Sequence, residues 1–430
     1  MILTTDNLFF FEKTSDIPLQ ATVRAQMRLP FPLAGLGLYS SADLSPCAYV
    51  GSLLDTARLR ADGRKKSPLL HEILGKADPI LQSLRPYLQT LPESLPLTTL
   101  SLQEAPESSQ NELSQVFFRK RTGIVALEEE WDLLKDKSDA DMDWNVVRSR
   151  RRILALREPG ANSFLTAKPN ETLFCSRELW SVMMKLYLGC VVYDDSGSEL
   201  LVCGCCGKKK LDRLGIHALT CCGTGWGRVA RHDLTAKTTQ KHAIGPARLA
   251  YEGKYHKGEA KNLLFGSSSK PADVLVYPPA CANGQTIGLP IAMDFMVTGS
   301  FCLTNVAGRS LAKQSASSGN VLVLAGEKFK WLAFQAKVKT AWKKAFPQVP
   351  YPAETPELGF EFLPMLFDIY GGCSARTQTE LERYAKRAAK HQGTSQKKFY
   401  NRVYSRISYC IWSANAQCVI LRKPRDAMTL

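Results

Sequence analysis

The chain has 430 residues, too many for one simple core, so two or three domains are expected. Its 45% hydrophobic and 22% charged content excludes wholesale disorder. Lys and Arg number 56 against 40 Asp and Glu, a surplus of 16 that favours a polyanionic partner, and nucleic acid is the commonest. The opening MILTTDNLFFFEK has no basic stretch ahead of its short apolar run, so it does not read as a secretory signal. No apolar stretch approaches the roughly 18 residues a membrane helix needs. An intracellular chain with no membrane association is therefore expected, with its 13 cysteines as reduced thiols or metal ligands.

Residues 1–40 are poorly periodic and end in LPFPLAGLGLYS, whose Pro and Gly punctuation reads as a structured loop. Residues 43–61 and 67–90 carry apolar side chains at helical spacing, among them Leu69, Ile73, Ile80, Leu81 and Leu84. Residues 91–110, rich in Pro, Ser and Thr, read as a linker. A long amphipathic helix is expected over 111–137, a second after Asp141 and Asp143, and a third over about 176–188. The second carries Arg148, Arg150, Arg151 and Arg152, a secondary candidate for contact with nucleic acid. Tyr193-Asp194-Asp195 resembles a polymerase motif in its letters, but it lacks strand context and reads as a loop.

Five cysteines lie between 203 and 222, and Cys203, Cys206, His217 and Cys221 have the spacing C-x2-C-x10-H-x3-C. A structural zinc ion takes four soft or borderline ligands in a tetrahedron. A close Cys pair on a turn, with Gly204 and Gly207 to tighten it, and a His/Cys pair on one face of a short helix supply that geometry. Cys205 and Cys222 are alternative ligands. The competing reading is a chance cluster of buried thiols.

A short helix is expected from Arg231, followed by strand-like runs ADVLVY (272–277) and PIAMDFMVT (290–298). Asn283-Gly284 between them favours a hairpin turn. Asp294 sits among Ile291, Met293, Phe295 and Val297, where a carboxylate is costly unless it is paired or binds a cation. With Asp273 on the adjacent strand it has the makings of a Mg2+ site for phosphodiester chemistry, and Glu252 is a third candidate oxygen ligand. The lysine of the common nuclease pattern falls two residues after the second acid, where this chain has Met296; Lys330 is the best replacement and Lys328 the second. The ordinary alternative is that Asp294 only meets a buried Lys or Arg.

A helix near 321–346 and a strand-like run over 360–372 come next, and residues 376–415 read as helical and strongly basic. In this stretch Arg383, Lys386, Arg387, Lys390, Lys397 and Lys398 are candidate phosphate contacts, and the interleaved Tyr384, Tyr400 and Tyr404 are candidate stacking platforms. A solvated helix face with core tyrosines is the competing reading.

The order of these features resembles one family. LPFPLAGLGLYSSADLSPCAYVGSLL, then ANSFLTAKP and LYLGCVV, look like the stretch after the polymerase core of eukaryotic non-LTR retroelement reverse transcriptases. CGCCGKKKLDRLGIHALTC followed by Arg231-His232 resembles their Cys-Cys-His-Cys knuckle and its trailing Arg-His. KPADVLVY, AMDFMVT and GFEFLPMLFDIYGG are similar to the motifs of the attached restriction-like endonuclease. The resemblance implies an α+β chain with a helical N-terminal half, a zinc knuckle, a PD-(D/E)XK-type α/β core and a basic helical C-terminus. The divisions expected are 1–110, 111–200, 201–232, 233–375 and 376–430. It further implies that Asp273 and Asp294 bind the catalytic metal and that Lys330 supplies the lysine, although Ala272 interrupts the Pro-Asp pair. Expected on this footing are target-DNA nicking with no polymerase core, Zn2+ and Mg2+ as cofactors, DNA with RNA as a second candidate partner, and a nuclear location. The alternative expectation is an inactive remnant that still binds nucleic acid.

Overall fold

Among the described residues, the strands of the sheet begin where the β-branched and apolar runs begin, near residue 272, and most of the rest is helix. The computed structural model describes residues 130–167, 175–193, 201–221, 223, 227–249, 262–268, 270–278, 288–299 and 306–423, together with 23, 26, 27, 29 and 34–36. The helices expected over 43–61 and 67–90, the linker at 91–110 and the Asn283-Gly284 turn lie outside these residues. Two compact units are present, Met1–Val146 and Val147–Leu430. In the first, Gln26 Nε2 donates to Ala34 O at 2.8 Å, and residues 130–134 form the end of a helix with Trp131 and Leu134 buried. That helix stops three residues before the 111–137 expectation, at the turn closed by Lys137 N donating to Leu134 O.

The second unit is an α+β assembly. Helix α1, Trp144–Arg157, leads through a 3-10 turn, Ser163–Thr166, to α2, Arg177–Leu188. Ser176 caps α2 by accepting from Leu179 N, and Gly189 ends it at φ 70°, a left-handed conformation that suits glycine. After the five-residue α3, Ile216–Thr220, comes α4, Arg228–Thr239, which runs through a π turn at Gln240–Ile244 into α5, Gly245–Leu249. Strands β1 (Val274–Val276) and β2 (Ile291–Thr298) pair antiparallel, Val274 opposite Met293. Helices α6, Val306–Ser315, and α7, Val321–Ala345, then cross over to β3, Glu361–Asp368. Strand β3 lies parallel to β2, with Ile291 opposite Glu361 and Thr298 opposite Asp368, giving the order β1-β2-β3. Helices α8, Ala375–His391, and α9, Gln396–Ile420, close the unit. Residues 376–415, expected to be helical, thus fall in two helices. Gly393 at φ 62° breaks the run, and Ser395 caps the next helix by accepting from Lys398 N.

Strand alternation sends β2 side chains to two different cores. Met293 and Phe295 join Val274, Val276, Met365 and Phe367 against α4, α8 and α9. Ala292 and Phe362 join Phe334, Val338 and Ala341 of α7, where the Phe334 and Phe362 rings stack at 4.0 Å. Both faces of the sheet are therefore covered by helix, which explains why its strands are nearly continuous hydrophobic runs. Strand β3 ends before the expected residue 372 because Gly371 turns at φ 89° and the chain doubles back to a bridge between Phe367 and Cys373. Trp412 of α9 donates to Ala161 O and Tyr370 O, both at 3.0 Å, so the ANSFLT segment is anchored to the last helix.

Candidate metal cluster and acidic centre

The first site is local in sequence. Leu211 N donates to Leu201 O and Cys203 N to Lys209 O, closing a small hairpin around Gly207, whose φ is 61°. Gly207 N returns to Cys203 O at 2.8 Å, which brings Cys203 and Cys206 to one side of the turn. Asp212 accepts from Ile216 N at 2.9 Å and His217 N at 2.6 Å, fixing the start of α3. The ligand atoms of Cys203, Cys206, His217 and Cys221 all lie within 4.8 Å of one another. A tetrahedron with metal–sulfur bonds of about 2.3 Å has sulfur–sulfur edges of about 3.8 Å; an edge to an imidazole nitrogen is about 3.5 Å. Cys203 Sγ and Cys221 Sγ are 3.8 Å apart, and Cys206 Sγ is 3.4 Å from His217 Nε2. These four residues could bind a metal such as zinc. Backbone N–H groups of Lys208 and Lys209 bring the Cys206 thiol down to about 6, so this ligand deprotonates readily, while burial pushes Cys203 up. Cys205 lies beside the cluster and outside the tetrad, and Cys222 is outside the described residues.

The second site is assembled from distant segments. Asp273 N donates to Met293 O at 2.8 Å, extending the β1–β2 ladder by one residue, and there β1 starts. Strand β2 continues past that point, so Phe295 has an N–H and a C=O with no strand opposite them. Side chains take both: Phe295 N donates to Asp273 Oδ2 at 2.7 Å, and His232 Nε2 lies 3.0 Å from Phe295 O. His232 Nε2 is also 3.1 Å from Asp273 Oδ2, and its Nδ1 is 3.0 Å from Asp233 Oδ1. Both ring nitrogens face only acceptors, so the ring is the doubly protonated imidazolium. The Asp273 hydrogen bond raises the His232 pKa to about 9 against the opposing effect of burial. Burial pushes Asp273 up, but the His232 hydrogen bond and charge outweigh it and hold the carboxyl below its usual value.

Asp294, one residue before Phe295, points to the opposite face. Lys330 Nζ reaches it from α7 at 2.9 Å from Oδ2, and both side chains are mostly buried. Burial raises the Asp294 pKa, Lys330 opposes the rise, and nearby Asp273 adds to it. Asp273, Asp294 and Lys330 therefore converge at the end of β1. The hydrogen bonds and ion pair on the two carboxylates all fall on Oδ2 atoms, which leaves each Oδ1 outside them. Two carboxylate oxygens suit a hard divalent cation. Lys328 is exposed on another face of α7, and Glu252 lies outside the described residues.

The sequence reading placed His232 only in the Arg-His pair after the knuckle and missed its place in this centre. The available signal was its neighbour. Arg231 is buried and donates to Asn415 Oδ1 at 2.8 Å and Leu219 O, locking α4 against α9 and α3. With Arg231 turned inward, His232 at the next position faces the sheet edge.

The arginines at 148–152 are largely spent on internal contacts. Arg150 Nε donates to Ala316 O, Arg151 is buried 3.5 Å from Asp368, and Arg152 NH1 donates to Tyr187 O. The interleaved tyrosines also point away from a stacking role: Tyr384 and Tyr404 are buried in the core, Tyr404 against Cys373, and Tyr400 packs on that core. Aromatic residues at these positions complete the interior of α8 and α9. Of the basic residues, Lys386, Lys390, Lys397 and Lys398 are exposed, Arg387 is half-buried, and Arg383 pairs with Glu380 at 2.6 Å. Tyr193 is buried and donates to Val419 O, a structural role, while Asp194 and Asp195 lie outside the described residues. No helix among the described residues is long and apolar enough to cross a membrane. No protein-family model and no curated protein matches this chain.

Proposed function

We propose that this chain is a retroelement-derived, nuclear nucleic-acid-binding protein with a metal-dependent DNA-nicking centre at Asp273, Asp294 and Lys330. The observation that carries the proposal is the convergence of these three residues from β1, β2 and α7, with Lys330 Nζ 2.9 Å from Asp294. Two acids and a lysine at the edge of a small mixed sheet are the parts of a PD-(D/E)XK-type core, which this reading assigns to the β1–β3 region. DNA is the substrate, RNA a second partner, and Zn2+ the ion of the Cys/His cluster.

A bound Mg2+ ion would activate a water and neutralise charge on the attacked phosphate. The protein's own groups do the rest. His232 and Phe295 N–H fix Oδ2 of Asp273, setting the plane of the carboxylate and leaving Oδ1 for the cation. Asp294 contributes the second oxygen. Lys330 offers an ammonium that can shift from Asp294 to a phosphate oxygen or orient the attacking water.

A second reading has its own observation. His232 and Lys330 already neutralise the two acids, so the centre is electrostatically complete with protein groups alone. A remnant that binds nucleic acid and no longer cuts it fits that balance. Incubation of supercoiled plasmid with the purified chain separates the two readings. Conversion to open circles with Mg2+, prevented when Mg2+ is omitted, supports the nuclease; binding without conversion in Mg2+ or Mn2+ supports the remnant.

A further inference from the structure

Helix α7 has a marked charge asymmetry. It carries Lys328, Lys330, Lys337, Lys339, Lys343 and Lys344 against the single acid Glu327. Three of these lysines, Lys330, Lys337 and Lys344, are spaced by seven residues. At 3.6 residues per turn they drift only about 20° per step, so they form one row, with successive members about 10 Å apart along the axis. The row begins at the acidic centre, where Lys330 meets Asp294. Lys337 comes next, with Nζ donating to Lys270 O at 3.1 Å, three residues before Asp273. Its charge also acts on Asp294.

Beside the second half of the row lies an open cavity of about 490 Å³. Lys337 and Lys344 line it with Ser267, Ser268 and Thr340, and Ala333, Ala336 and Ala341 leave its floor shallow. Lys337 and Lys344 are exposed, and neither has an acidic partner among the described residues. Two exposed ammonium groups beside hydroxyls, over a floor of small side chains, suit a chain of phosphates. A protein partner would need a deep pocket for a large anchoring side chain, which this open, shallow cavity does not offer.

We propose that the Lys330–Lys337–Lys344 row of α7, with its cavity, is the track that holds the sugar-phosphate backbone of the DNA strand leaving the Asp273–Asp294 centre. The inference rests on the nicking centre proposed above and adds the direction in which the bound strand runs. Lys330 contacts the phosphate at the centre, Lys337 one farther along, and Lys344 one at the far end of the cavity. Lys339 and Lys343 project from another face of the helix and take no part.

The test measures duplex-DNA affinity of the full chain across a salt series, with plasmid nicking assayed in parallel. Each phosphate contact contributes a log–log slope of about 0.9, so K337A/K344A should flatten the slope by about 1.8. K339A/K343A should leave it unchanged, and circular dichroism should show both variants folded. An unchanged slope in K337A/K344A, or an equal loss in K339A/K343A, overturns the track even if the wild type nicks. A flattened slope confined to K337A/K344A in a protein that never nicks upholds the track and sinks the nuclease reading instead.

Discussion

The Cys/His cluster and the acidic centre solve opposite problems. The cluster spans residues 203–221, and its four ligand atoms sit within 4.8 Å of one another, three of them sulfur. As thiolates they would repel one another; the buried Arg422 offsets part of that charge through its contact with Cys221, and a metal ion would offset the rest. The acidic centre draws on His232, Asp273, Asp294 and Lys330, nearly a hundred residues apart in sequence, and each acid already meets a protein cation. The lesson is that charge balance, more than ligand identity, decides whether a site depends on metal for its fold. The cluster should need its ion to fold; the centre should fold without one and use an ion only for chemistry.

The sharpest way to break this contrast is substitution inside the centre. D273A and D294A should each lower Mg2+-dependent nicking by more than about 10³-fold, because each removes an oxygen ligand and leaves the water unactivated. DNA affinity should stay within a few-fold, as filter binding would show. K330A should cost less, about 10²-fold in rate, the scale of one lost electrostatic contact in a transition state. Lys328→Ala, on a different helix face, should change the rate little.

The cluster should respond in stability instead. C203S and H217A should lose a metal that otherwise co-purifies at about one per chain, and should open the 201–221 segment to proteolysis. Ligand loss removes several kcal/mol of folding free energy. Metal analysis finding no zinc in protein purified without chelator would end the zinc assignment.

The His232–Asp273 pair gives a smaller effect with a definite pH window. The folded His232 pKa, about 9, lies above its unfolded value of 6.5. Its contribution is therefore full below pH 6.5 and lost as pH rises through about 9. The depressed Asp273 acts the other way, contributing above the ordinary carboxylate value and fading as pH falls below it. H232Q should thus destabilise the magnesium-free protein most near pH 6, by at most about 3 kcal/mol. Thermal melts of variant and wild type should converge above pH 9; a constant gap across the range would mean that His232 is neutral.

Local patterns were legible in the sequence. Apolar spacing places α2 and α7 within a residue or so of expectation, at Arg177–Leu188 and Val321–Ala345, and Ser176 and Gly189 cap α2. The run PIAMDFMVT marks β2, Ile291–Thr298, because both its faces are covered. The C-x2-C-x10-H-x3-C spacing was readable because a hairpin and one helical turn are enough to close it. Long-range pairing was harder to read. Nothing local to His232 says that β1 begins one residue after Asp273 and leaves Phe295 N–H and C=O to be capped. Likewise the basic, tyrosine-rich stretch at 383–406 does not show by composition which tyrosines α8 and α9 turn into the core.

The most direct test of the central claim is one assay on Asp294. With wild type and D294A at concentrations that bind supercoiled plasmid equally, nicked circles are counted over time in Mg2+. The account predicts steady conversion by the wild type and none above background by D294A. Equal conversion by both proteins, or none by the wild type in either Mg2+ or Mn2+, would contradict it.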